Sequence, residues 1–222
     1  MFKFKFYFFI IIITLLTGCV SPIPLNEQSP APEYKPADKL LISVIDERKR
    51  VSEGKPDNFI GVAHAAFGIP VDWSISQALS VEKGDKERNL SEFLTYRIIN
   101  GLKSKGWNAE AIIMDNRIDT DKAAEVLKQN KANKLLILNI HEWYFSINLN
   151  WVSEFNFDTD TLIQVYQIKN GKILEKQIAG RDVIIEKADD SPQNSILRAY
   201  RDQLQEIFSD PDIQSALIKN KI

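Results

Sequence analysis

Only one cysteine, Cys19, and two histidines, His64 and His141, occur in the 222 residues of the chain. A lone cysteine excludes an internal disulfide framework. The two histidines lie far apart in sequence, neither with a carboxylate or thiol at ligand spacing, so no metal site is expected. A basic excess is lacking as well: 28 Lys and Arg face 30 Asp and Glu, a formal net charge of −2. Nothing in that balance would recruit nucleic acid. GxSxG, HExxH, P-loop and dinucleotide fingerprints are all absent from the sequence, so neither a catalytic constellation nor a bound cofactor is expected.

The front of the chain is more informative. Lys3 and Lys5 precede a mostly apolar stretch from Phe6 to Leu16, the charged-then-apolar layout of a secretory signal. That stretch is too short to span a bilayer, which takes about 20 residues. It closes on Leu16-Thr17-Gly18-Cys19, which resembles the bacterial lipobox. The resemblance implies that Cys19 receives a diacylglycerol thioether, that the signal is cut before it, and that the new amine is acylated. The competing reading makes Cys19 a buried thiol ending an uncleaved anchor. The front charges, the signal-length core, the small residue at the cut and the lack of a second cysteine favour the lipid. Two or more acyl chains, at about 0.8 kcal/mol per buried CH₂, hold a protein on a membrane stably.

Cleavage leaves 222 − 18 = 204 residues, the length of one domain. Residues 1–18 are thus expected to be signal peptide, 19–38 the lipidated cysteine with a linker, and 39–222 a single periplasmic domain. Five of the nine prolines (Pro22, Pro24, Pro30, Pro32, Pro36) fall in the linker. Where it is polyproline II, such a spacer rises at most about 3.1 Å per residue and would hold the domain up to roughly 60 Å from the lipid.

Leu40 to Ile45 reads as a central strand covered on both faces, breaking at the charged run Asp46-Glu47-Arg48-Lys49-Arg50. Shorter strands are expected at Phe59–Ala63 and Ile69–Trp73, the second at an edge because of Pro70. Asn89 with Glu92 signals a capped helix, its stripe running from Leu90 to Leu102 and its end at Gly106. A strand over Trp107–Met114 and a helix over Thr120–Lys131 follow. Leu135–Ile140 continues into an alternation of Trp143, Phe145, Ile147, Leu149 and Trp151. Asn170-Gly171 between two alternating runs predicts a hairpin with a type I′ turn. Its expected register sums to 341, pairing Ile163 with Ile178, Phe157 with Ile184 and Asp160 with Arg181. Two helices close the chain, opened by Ser191-Pro192 and Asp210-Pro211. The expected fold is α/β (α+β): a mixed β-sheet with a long antiparallel hairpin, helices packed on one face.

Asp46 and Arg48, two apart, share a face of the strand end, where an ion pair or a hydrogen-bonded loop anchor is expected; Arg48 and Arg50 are otherwise either a solvated strand end or an anion and partner site. Asp158 and Asp160 share a strand face as paired carboxylates, with a solvated polar stripe as the plainer reading. His141 is expected on the face of Asn139 and Trp143, as a satisfied semi-buried histidine. The aromatic set around Trp143 and Trp151 is either core beneath the terminal helices or, where exposed, a partner-binding face.

Several segments together resemble the YajG-type family of uncharacterised bacterial lipoproteins. They are the lipobox, Asp46-x-Arg48, Ile60-Gly61, Phe67-Gly68, Leu102-Lys103-Ser104-Lys105-Gly106-Trp107, the two long strands and Asp210-Pro211-Asp212-Ile213. The layout also looks like the amino-terminal domain of TolB. The resemblance implies a non-enzymatic lipoprotein and carries no catalytic residue. In Gram-negative bacteria Val20 after the lipidated cysteine would be an outer-membrane address, the domain facing the periplasm; surface exposure and a cytoplasmic-membrane anchor are the alternatives. The expected partners are the membrane, through the anchor, and an envelope protein or cell-wall component; no nucleic acid is expected. An alternative role is an accessory subunit of an envelope transport or secretion system that binds a small lipid or glycan between the hairpin and the terminal helices.

Overall fold

A computed structural model of the chain describes residues 21–64, 68–148, 154–185 and 190–218. The lipobox residues Leu16, Thr17, Gly18 and Cys19 lie outside the described residues, as does Trp151.

The fold is a seven-stranded mixed sheet, as expected, and its axis is β5 (Lys134–Asn148). Along one edge β5 pairs antiparallel with β6 (Glu154–Gln167), which pairs in turn with β7 (Gly171–Ile185). Two strands share the other edge in tandem. β1 (Leu40–Asp46) lies parallel to Lys134–Ile140, and β2 (Phe59–His64) lies parallel to Phe145–Asn148. β3 (Pro70–Ser74) adds antiparallel outside β2, consistent with its proline at an edge. β4 (Ala109–Ala111) covers only Leu40–Ile42 of β1. A single turn of helix, α1 (Lys49–Ser52), lies in the connection from β1 to β2.

Helices lie on both faces, which corrects the expectation of one. α2 (Leu90–Ser104), α4 (Pro192–Ser209) and α5 (Pro211–Ile218) pack over Ile42, Val44, Leu136, Leu138 and the aromatic residues. α3 (Thr120–Gln129) covers Leu41, Ile45, Leu135, Ile137 and Tyr166 on the opposite face. The composition of β1 itself requires cover on both sides, since none of the residues from Leu40 to Ile45 is more than 5 % exposed. The helix ends follow the sequence closely. Asn89 Oδ1 accepts from Glu92 N–H at 2.9 Å while Glu92 Oε2 accepts from Asn89 N–H at 3.1 Å. At the other end Gly106 takes φ +77° and Trp107 N–H reaches Leu102 O at 3.0 Å, a Schellman closure.

A bulge at His141 reorganises β5. The pairing with β6 shifts between Ile140 and Glu142, so the even residues Leu136, Leu138 and Ile140 and the odd residues Trp143, Phe145 and Ile147 all face the same core. His141 therefore does not share the face of Trp143. Trp143 is fully buried, edge-on to Phe157 at 5.4 Å and to Tyr200 of α4 at 5.3 Å. Phe145, Phe155 and Phe157 are buried with it. Among the described residues these rings pack between the hairpin and the terminal helices.

The hairpin forms, but two residues out of the expected register. Ile178 faces Thr161, Ile184 faces Phe155 and Arg181 faces Asp158. Asn170 N–H bonds to Gln167 O, and Gly171 takes φ +66° where it pairs with Gln167, so the loop is Ile168-Lys169-Asn170 rather than a two-residue turn. A register shift falls between Val165 and Tyr166, Ile168 N–H is used by Asn133 O, and a Cβ on Gly171 would sit 2.6 Å from Thr120 of α3.

The proline-rich segment is not a free spacer. Residues from Ser21 to Asp38 lie on α2 and α4, with a 3-10 turn at Leu25–Gln28. Ile23, Gln28 and Ser29 are buried. Ala31 N–H donates to Gln205 Oε1 at 2.6 Å, and Tyr34 packs on Trp107 with ring centres 5.2 Å apart. A Cβ on Gly101, inside α2, would lie 2.0 Å from Pro30 O. The glycine in mid-helix is there because the segment crosses the helix at that point.

Candidate functional site

Arg48 sits where β1 leaves the edge of β5 and β2 takes its place. Its Nε and Nη2 donate to the two carboxylate oxygens of Asp46 at 2.8 and 2.7 Å. Nη1 reaches Phe59 O at 2.6 Å and Trp143 O at 3.5 Å, and Nη2 reaches Asp57 O at 3.1 Å. The side chain is 1 % exposed. A guanidinium with its donors consumed by a carboxylate and backbone carbonyls is a clasp across the strand gap, which corrects its placement as a partner-binding group. Trp143 is corrected likewise, because it is core. Arg50 is half-exposed, over the Tyr144 ring at 4.0 Å and 3.3 Å from Glu142. Of the proposed partner-binding residues described, it alone reaches solvent.

The outer half of the sheet, beyond α3, turns a polar face to solvent. Arg117 joins Glu47 at 2.8 Å, and its Nη2 donates to His141 Nε2 at 2.6 Å. His141 is thereby held with Nε2 as acceptor, and Asp160 lies 3.8 Å from its Nδ1. Asp158 pairs with Arg181, and Asp160 accepts from Gln177 Nε2 at 2.7 Å. Two carboxylates that have separate partners on an open face do not divide acid and base roles over one substrate. Among the described residues there is no group of three or more His, Cys, Asp or Glu placed to hold a metal ion. His64 is tied to Ile147 O at 3.3 Å.

A concave apolar site lies elsewhere, beside α2. Since β4 stops opposite Ile42, the rest of β1 borders a groove of about 340 Å³ between the helix and the chain that follows β4. Val44 and Ile99 line it with Ile112, Ile113 and Met114, and Tyr96, with Arg88 stacked on its ring at 4.0 Å, closes one side. Glu92 and Asp115 put carboxylates on the rim. Ile113, in the apolar lining of the groove, is 82 % exposed. The sequence does carry a signal for it. Ile112-Ile113-Met114 is a continuous apolar run, and an alternating edge strand cannot bury three consecutive residues.

No family model matches the chain, and no curated protein matches it. Solved structures that are similar include protein XCC0632 of Xanthomonas campestris, from the DUF330 family, at 9 % identity over 90 % of this chain and 92 % of that one, TM-score 0.43. The PelC dodecamer of Paraburkholderia phytofirmans is 12 % identical over 86 % of this chain and 96 % of its own, TM-score 0.36. Lipoprotein GNA1162 of Neisseria meningitidis is 6 % identical over 78 % of this chain and 99 % of its own, TM-score 0.33. No residue or role is carried over from them.

Proposed function

We propose that the chain is a lipid-anchored bacterial envelope protein, of the YajG type, which binds an envelope partner and does not turn over a substrate. The anchor is Cys19, acylated after cleavage of the signal, and Val20 directs it to the outer membrane with the domain in the periplasm. No helix among the described residues is long and apolar enough to cross a membrane. The observation that carries the binding role is the groove beside α2, with Ile113 exposed at its mouth and an apolar floor of Val44 and Ile99. An apolar floor with a charged rim suits an apolar side chain or short segment of a protein partner.

A photo-crosslinker at position 113 of the anchored protein, used in intact cells, tests this reading. One identified envelope protein captured from position 113, not from position 169, and lost on Tyr96→Ala supports it. Identical capture at both positions overturns it. The groove volume also falls in the range of small-molecule sites, roughly 300–1,000 Å³, which favours a small apolar ligand as the second reading. Native mass spectrometry of the purified lipoprotein separates the two: retained lipid that Ile113→Glu abolishes supports the second.

A further inference from the structure

The packed amino-terminal segment decides how a lipid anchor would hold the domain. Asn194 of α4 binds it at two points, Oδ1 accepting from Ile23 N–H at 2.9 Å and Nδ2 donating to Ser21 O at 3.1 Å. Ile23 itself is 6 % exposed. The chain is therefore part of the fold from Ser21 onward, and Cys19 precedes that point by two residues. At about 3.5 Å per residue, the lipid-bearing residue stays within roughly 7 Å of the domain.

The surface at that exit has a definite character. Gln193 Nε2 donates to Ala78 O at 2.7 Å, which joins the first turn of α4 to the segment after β3. β3 begins at the end of β2, with Pro70 opposite His64, and His64 in turn lies opposite Asn148 at the end of β5. Val71 and Trp73 line one cleft with Ser191 and Gln193 of the α4 start, and two of the exposed large apolar side chains among the described residues lie on this strand end, Ile69 at 60 % and Val71 at 44 %. The hairpin loop around Lys169 lies at the other end of β6, whose 14 residues span about 45 Å at roughly 3.3 Å per residue.

We infer that the lipid on Cys19 seats the β3 and α4 amino-terminal end of the fold directly on the phospholipid surface, with Ile69 and Val71 as its apolar contacts and the Lys169 loop at the membrane-distal end. The inference rests on the proposed lipidation of Cys19. It replaces a domain swinging on a long spacer with one held close and in one orientation. The occupant of this face is the bilayer because a two-residue connection leaves no length to lift the face away from the lipid.

Because Cys19 is consumed by the thioether, an introduced cysteine is the one free thiol, and a fluorophore can be placed on Ile69→Cys, Val71→Cys or Lys169→Cys. The lipidated variants are reconstituted into phosphatidylethanolamine and phosphatidylglycerol vesicles that carry nitroxide-headgroup lipid. Quenching at positions 69 and 71 should exceed that at 169 several-fold. Equal quenching at all three positions, in protein whose intact mass shows the diacylglycerol, overturns the seating while leaving the anchor in place. Protein without that mass increment, found free of the vesicles, overturns the anchor and the inference together.

Discussion

The side-chain amide of Asn194 holds both faces of the segment around Ile23, accepting its N–H at 2.9 Å from 171 residues away in sequence and donating to Ser21 O at 3.1 Å. Asn194 is 2 % exposed, so each bond is made out of water. The bonds make residues 21–38 a strap of the domain, and several measurements follow from that and from the other buried polar groups.

Asn194→Ala removes both bonds and leaves the Ile23 amide buried and unpaired. It should lower stability by about 1–3 kcal/mol in equilibrium urea unfolding. Gly101→Ala is the sharper test, since alanine in a helix interior ordinarily stabilises by roughly 0.5–1 kcal/mol relative to glycine. Here the added methyl meets Pro30 O, so the variant should be less stable than the parent and be cleaved by protease within the strap. A stabilised Gly101→Ala would mean that the segment does not lie on α2.

Arg48→Ala leaves Asp46 without its ion-pair partner and removes a donor from the carbonyls of Phe59, Trp143 and Asp57, the last of which keeps the Leu90 N–H at 3.2 Å. A loss of about 3–5 kcal/mol is expected, against about 1 kcal/mol or less for Arg50→Ala at its half-exposed stacking position. Comparable losses from the two variants would contradict the clasp.

Asp85 is fully buried and takes hydrogen bonds from Arg97 Nη1 and Nη2 at 3.0 and 2.8 Å and from Arg88 Nη1 at 2.6 Å. Burial pushes its carboxyl up, and the bonds from Arg97 and Arg88 more than offset this, holding it below its ordinary 3.8. A carboxyl lower in the folded than in the unfolded protein adds stability that is present above about pH 4 and is lost as pH falls through the folded value. Thermal melts should thus decline on the acid side, and Asp85→Asn should flatten that limb while costing about 3–5 kcal/mol at neutral pH. An unchanged acid limb in the variant would remove Asp85 from the account.

Trp143→Ala empties a site walled by Phe157 and Tyr200 and should cost about 3–5 kcal/mol. If Trp143 were instead a partner contact, the variant would unfold as the parent does and fail only in crosslinking.

Local and periodic features were legible in the sequence. The N-cap at Asn89, the glycine at the end of α2, the strand of Leu40–Ile45, the hairpin and both terminal helices all stand where the residues indicate, because each depends on groups within a few positions of one another. The bulge at His141 was also written there, in the switch of apolar residues from even positions at Leu136–Ile140 to odd ones at Trp143–Ile147, although an uninterrupted alternation is the simpler reading.

Tertiary structure decided the rest through contacts between residues far apart in the chain. A proline-rich composition describes the unbound segment, and only the Asn194 amide, Gln205 and the cleft over Gly101 make it a strap. Asn-Gly is compatible with two loops that both place glycine at positive φ, and the longer one, packed against Asn133 and Thr120, carries a register two residues from the shorter. The pairing of Arg48 with Asp46 follows from their two-residue spacing, but its burial does not: β1 and β2 must share one edge of β5 before the carbonyls of Phe59 and Asp57 come within its reach. The sequence by itself determined which residues are apolar, where helices start and where a lipid is expected; three-dimensional packing determined which of those residues remain in contact with water, because burial is a property of the neighbours and not of the residue.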